Sequence, residues 1–221
     1  MIFVNFKTYA QGSGGEAVKL ASLLSEVSNL SQVKLIPVVQ ALDLKEIVES
    51  VRLEVWVQSI DPVDPGAHTG AILPEAVVED GATGTFLNHS EKKIGDYSLL
   101  SEAINQSEEA GLKTLVFAAS EEALRNIVGL KPTLVAYEPP EFVGNPDTSV
   151  AKEKPEVIEK ASEVAKAARL PLIVGAGIKT AEDVRTSLKL GAVGVAVSSS
   201  IVTSSDPREK MMELIRGFEG F

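Results

Sequence analysis

The chain has 221 residues, a formal net charge of −10 at pH 7 and a pI near 4.8, with no basic stripe of the kind a nucleic acid or an anionic membrane surface requires. With 44% apolar and 24% charged residues it has an ordinary globular composition; no run approaches the roughly 18 apolar residues of a membrane span, and no basic segment precedes the first strand at Ile2, so a soluble, cytoplasmic chain is expected. The absence of cysteine removes disulfides, thiolate nucleophiles and thiolate metal sites together, which leaves His68 and His89 for imidazole chemistry.

Short, near-continuously apolar runs recur along the chain: Ile2 to Phe6, Val33 to Val38, Leu53 to Val57, Thr83 to Leu87, Thr114 to Ala118, Thr133 to Tyr137, Leu170 to Val174 and Val193 to Val197. Such runs suit strands covered on both faces. Segments of helical period separate them. Ala17, Leu20, Ala21, Leu24 and Val27 mark the first, and Val157, Ile158, Ala161, Val164, Ala165 and Ala168 one of the clearest. Asp43 with Glu46 and Thr180 with Asp183 have capping-box spacing, while Pro74 and Pro207 suit first helical positions.

Strict alternation of strand and helix implies parallel pairing, because each return must cross the sheet face. Eight such units fit one compact (β/α)8 barrel, a TIM barrel, spanning residues 1–221, with an open doubly wound sheet as the alternative. No linker, low-complexity stretch or charge run divides the chain. In a barrel, chemistry belongs at the carboxyl ends of the strands.

Four stretches meet that condition. Asn5 and Lys7 lie two apart and share a face, an amide beside an ammonium suited to an anionic, oxygen-rich substrate, or simply a solvated strand end. His89 follows the fourth strand in Asn88-His89-Ser90-Glu91, where a helix start would disfavour the imidazolium and leave a neutral ring to donate to a carbonyl, or where the histidine simply caps a loop. Glu138 ends the sixth strand. A carboxylate there costs desolvation unless something uses it, and partial burial raises its proton affinity toward that of a carbon base. Pro139 and Pro140 stiffen the start of the loop from Glu141 to Thr148, and Gly144 loosens its middle, the pattern of a hinged lid or of a rigid turn.

The fourth stretch is a pair of small-residue turns, Gly175-Ala176-Gly177-Ile178 and Ser198-Ser199-Ser200, whose backbone N–H groups can converge on a phosphate. Thr180 stands where a dinucleotide fingerprint has its third glycine, which favours phosphate over a nicotinamide cofactor. Asp61, Asp64 and His68 occupy a Pro- and Gly-rich loop with no second histidine nearby, and no metal is expected there. Trp56, within the third strand, is expected in the core or at a subunit contact.

Asn5-x-Lys7, "NHSEKK" at 88–93, "AYEPPEFVG" at 136–144 and the two small-residue turns, taken in that order over the whole chain, resemble the triosephosphate isomerase family, and "DPVDPGAHTGAILPEAV" at 61–77 is similar to its compact archaeal branch. The resemblance implies a cofactor-independent, metal-free isomerase of triose phosphates. It implies Glu138 as the base, His89 as the neutral electrophile, Lys7 as the cation at the enediolate and phosphate, Asn5 as a donor beside it, and Glu91 as support for the lysine or the histidine. It places Val143 and Gly144 in a closing lid and Gly177, Ser198 and Ser199 on the phosphate, and it implies a homo-oligomer, a dimer or a tetramer. Two departures stand out: Asn145-Pro146-Asp147-Thr148 replaces the branch's usual Thr-Gly after Gly144, and Gly175-Ala176-Gly177 lacks the serine of the more widespread Gly-Gly-Ser form. A metal-dependent ribulose-phosphate epimerase is the rival enzyme; it wants two or more histidines and acidic residues converging on a metal at the barrel mouth, and this chain has two histidines in all. A non-catalytic barrel that binds a phosphometabolite is the rival of another class.

Overall fold

The computed structural model describes residues 1–142 and 148–221. Eight parallel strands close into a barrel in chain order: β1 (Ile2–Asn5), β2 (Leu35–Val39), β3 (Trp56–Val57), β4 (Gly84–Leu87), β5 (Lys113–Ala118), β6 (Leu134–Tyr137), β7 (Leu172–Val174) and β8 (Gly194–Val197), with β8 pairing back onto β1. Ten α-helices are found among the described residues: α1 (Gly14–Ser31), α2 (Leu44–Ser50), α3 (Pro74–Glu79), α4 (Tyr97–Glu109), α5 (Glu121–Val128), α6 (Val150–Glu153), α7 (Pro155–Ala167), α8 (Ala181–Lys189), α9 (Ser199–Val202) and α10 (Pro207–Arg216). The closed order excludes the open doubly wound sheet. None of these helices is long and apolar enough to cross a membrane.

Strand alternation sorts the apolar residues into two cores. Val4, Phe6, Leu35, Val39, Leu87, Val116 and Val174 face outward and pack with the helices, including Leu20 and Leu24 of α1 and Ile158 of α7. Phe3, Ile36, Val38, Trp56, Phe86, Leu115, Phe117, Ala136, Ile173 and Ala196 fill the barrel interior. Phe3 meets Trp56 at 4.9 Å between ring centroids, and Phe86 meets Phe117 at 4.8 Å, both edge to face. Gly84 shares that inner face, and a Cβ there would collide with the Trp56 indole. Trp56 is 1% exposed and its Nε1 donates to Glu54 Oε1 at 3.0 Å, so the residue fills the barrel and makes no surface for a subunit contact.

Helix starts follow the sequence in all but one case. Thr180 and Asp183 form the full capping box of α8, and Pro74 and Pro207 occupy first-turn positions of α3 and α10. Asp43 does not cap α2. Its Oδ1 instead accepts from the Gly14 N–H at 3.0 Å and its Oδ2 from Gln40 Nε2 at 3.2 Å, because the start of α1 lies close enough to compete for the carboxylate.

Candidate active site

Asn5, Lys7, His89, Glu138, Gly177, Ser198 and Ser199 line one cavity at the carboxyl end of the barrel, with Phe86, Phe117 and Ala196 among its apolar lining. Glu91 flanks it through its ion pair with Lys7. Val143 and Gly144 lie outside the described residues, as does most of the altered 145–148 stretch.

Lys7 leaves β1 with a positive φ of 48°, a conformation that costs a non-glycine residue about 1 kcal/mol or more. Both of its backbone polar groups are held: its N–H donates to Asn5 Oδ1 at 3.0 Å, and its carbonyl accepts from Gln58 Nε2 at 2.9 Å. Asn5 thus spends its Oδ1 on Lys7 and keeps its amide Nδ2, the donor end, for the cavity. The ammonium of Lys7 lies 2.6 Å from Glu91 Oε1. Gln58 went unnoticed in the sequence because it follows β3 as an ordinary polar residue.

His89 reaches the mouth through a break in strand alternation. Asn88 takes φ +57°, which Asn tolerates better than most residues, and its side chain is fixed at both ends, Nδ2 to the Phe117 carbonyl and Oδ1 to the Ile94 N–H, each at 2.9 Å. The imidazole is 8% exposed and packs edge to face on Phe117 with centroids 4.9 Å apart. No helix begins at this turn; α4 starts only at Tyr97, so a helix N-terminus does not act on the ring. The backbone N–H of Glu91 does, donating to Nδ1 at 3.2 Å. An imidazole that accepts at Nδ1 is neutral and carries its proton on Nε2.

That Nε2 stands 3.5 Å from Glu138 Oε2. Glu138 is 7% exposed, and its backbone N–H still bonds the Ala118 carbonyl at 2.9 Å, so β6 fixes its Cα beyond the last strand residue. Ser90 Oγ donates to the same Oε2 at 2.9 Å, and Gly175 makes room on the other side: a Cβ there would lie 3.1 Å from Oε1. Neither neighbour was singled out for the carboxylate in the sequence, although Ser90 adjoins His89. Beyond Glu138, Glu141 pairs with Lys154 at 3.1 Å, and its carboxyl is held below the usual range by a backbone hydrogen bond and by that lysine.

In the neighbouring turn after β7, Ala176 and Gly177 both take positive φ, 68° and 79°. A Cβ on Gly177 would sit 2.6 Å from the Thr148 carbonyl, so only glycine admits this approach. Ser198 precedes α9, and its Oγ is buried without a hydrogen-bond partner. Asp183 accepts from Ser149 Oγ while serving the α8 cap, which joins the chain after residue 147 to the turn after β7. Asp61, by contrast, is occupied structurally: it accepts from the Ile72 N–H at 2.8 Å and from Lys92 at 3.2 Å, while Asp64 and His68 are exposed.

A buried carboxylate beside the Nε2–H of a neutral imidazole, with an ammonium across the same cavity, can move a carbon-bound proton while stabilising charge on the adjacent oxygen. A family model described as triosephosphate isomerase matches residues 1–217. The triosephosphate isomerase of Methanopyrus kandleri is 41% identical over 225 residues, covering 99% of this chain and 97% of its own. Those of Sulfurisphaera tokodaii and Methanothermus fervidus are 39% and 37% identical, covering 96% and 97% of this chain and 92% and 97% of theirs.

Proposed function

From the premise that this chain belongs to the triosephosphate isomerase family, we infer that its barrel mouth interconverts D-glyceraldehyde 3-phosphate and dihydroxyacetone phosphate through an enediolate, as a cofactor-independent aldose–ketose isomerase. The observation that carries the assignment of roles is the convergence of Glu138, His89 and Lys7 on one cavity, with the Nε2 proton of His89 directed at the ground Glu138 must cover.

In this reading Glu138 removes a proton from C1 of dihydroxyacetone phosphate and returns it to C2. His89 donates from Nε2 to the carbonyl oxygen as charge builds there, the division of labour established for this enzyme family. Lys7 stabilises the enediolate and the phosphate, Glu91 holds both Lys7 and the His89 ring, and Asn5 donates from Nδ2. Gly177, Ser198 and Ser199 offer backbone N–H groups to the phosphate. Pro139 and Pro140 stiffen the near end of a segment that closes on the substrate, because an enediolate phosphate exposed to water eliminates its phosphate. The chain works as one barrel domain, in the cytoplasm, as a homo-oligomer.

The test is turnover of glyceraldehyde 3-phosphate in the presence of a chelator, alongside Glu138→Asp and His89→Asn. Fast wild-type turnover, with both variants slowed by about two orders of magnitude or more, supports the roles. An inert wild type that still binds a phosphate analogue would replace this reading with a non-catalytic binding barrel.

A further inference from the structure

A phosphate dianion must enter a protein of net charge −10, into a cavity that holds the carboxylate of Glu138 and lies beside that of Glu91. Lys7 faces it already engaged, 2.6 Å from Glu91. On the other wall stands a second ammonium. Lys179, in the turn between β7 and α8, lines the same cavity as Gly177, Ser198 and Ser199 and is partly buried. Its Nζ donates to the Thr148 carbonyl at 2.9 Å and forms no ion pair among the described residues. A carbonyl positions an ammonium without neutralising it, and two of its three donors remain. Its backbone is fixed as well, with the N–H donating to Asp183 Oδ2 at 3.0 Å within the α8 cap.

Resting on the phosphate reading above, we propose that Lys179 binds the substrate's phosphate, as a cation added to backbone N–H groups that carry only partial charge. Charge-assisted hydrogen bonds of this kind are shorter and stronger than neutral ones, and they act on the phosphate and not on the reacting carbons. Lys179 therefore contributes to substrate capture, whereas Glu138 and His89 govern the proton transfer.

Lys179→Met and Lys179→Arg in the full chain test this against a purely structural staple to Thr148. Lys179→Met should raise both the KM for glyceraldehyde 3-phosphate and the inhibition constant of inorganic phosphate roughly tenfold, with kcat falling less. Arg should restore most of both. The loss of kcat/KM should be several-fold smaller for glyceraldehyde, which lacks the phosphate. A wild-type inhibition constant in Lys179→Met overturns the proposal, and so do equal losses on the two substrates with no rescue by Arg. An inert wild type would sink the isomerase reading alone, since calorimetric titration of wild type and Lys179→Met with inorganic phosphate, which needs no turnover, would still decide for or against Lys179. A roughly tenfold weaker Kd in the variant supports it and an unchanged Kd overturns it.

Discussion

Ser90 Oγ holds Glu138 Oε2 at 2.9 Å while His89 Nε2 stands 3.5 Å from the same oxygen. The carboxylate is therefore restrained by a neutral hydroxyl, which it would have to leave or share to act as the proposed base on carbon. Replacing Ser90 with Ala should lower kcat by about tenfold or less, the scale of one neutral hydrogen bond, while Glu138→Gln removes the base and should cost about a thousandfold. Steady-state kinetics decide it; equal losses in the two variants would give Ser90 a part in the chemistry itself.

Gln58 should matter without touching substrate. Its amide holds the carbonyl of Lys7 in a backbone conformation the lysine would not choose unaided. Gln58→Leu should let that turn relax and lower kcat/KM by roughly tenfold, with thermal stability little changed. Retention of full activity would show that the bond from Lys7 N–H to Asn5 is enough.

Gly84→Ala should destabilise the barrel by about 1 to 3 kcal/mol, since the added methyl meets the Trp56 indole in an interior with no slack. Urea unfolding measures this, and a neutral result would mean that the indole can move.

Glu54 gives a pH prediction. Burial alone would raise its carboxyl, but hydrogen bonds from Lys34, Trp56 and Lys113 outweigh that and hold it at about 2, against an ordinary 4.5. The folded value is the lower one, so the stabilisation is complete above about pH 4.5 and is lost as the pH falls toward 2. Glu54→Gln should cost about 1 kcal/mol at pH 7, solvent screening allowed for, with the gap to wild type closing through that window. A gap independent of pH would reassign the effect to packing against Trp56.

The eight strands were legible because each is a short apolar run with a helical segment after it, although pairing trims β3 to Trp56–Val57 and β7 to Leu172–Val174. Lys7, His89 and Glu138 were legible because each follows an apolar strand directly. Their supports were not. Gln58 is 51 positions from Lys7 and Ser90 is 48 from Glu138, and no local pattern encodes a contact that only barrel closure makes. The orientation of His89 was hidden for a related reason: it depends on Asn88 adopting a left-handed turn, with side-chain partners at Phe117 and Ile94.

The interior is also lopsided. Phe86 and Phe117 lie toward His89, whereas Ala196 occupies the inner face of β8 just before the turn that carries Ser198. The lining is thus aromatic beside His89 and small beside Ser198. On the proposed reading, a triose phosphate meets aromatic carbon at its reacting end and small residues at its phosphate end, so the lining itself tells the two ways round apart.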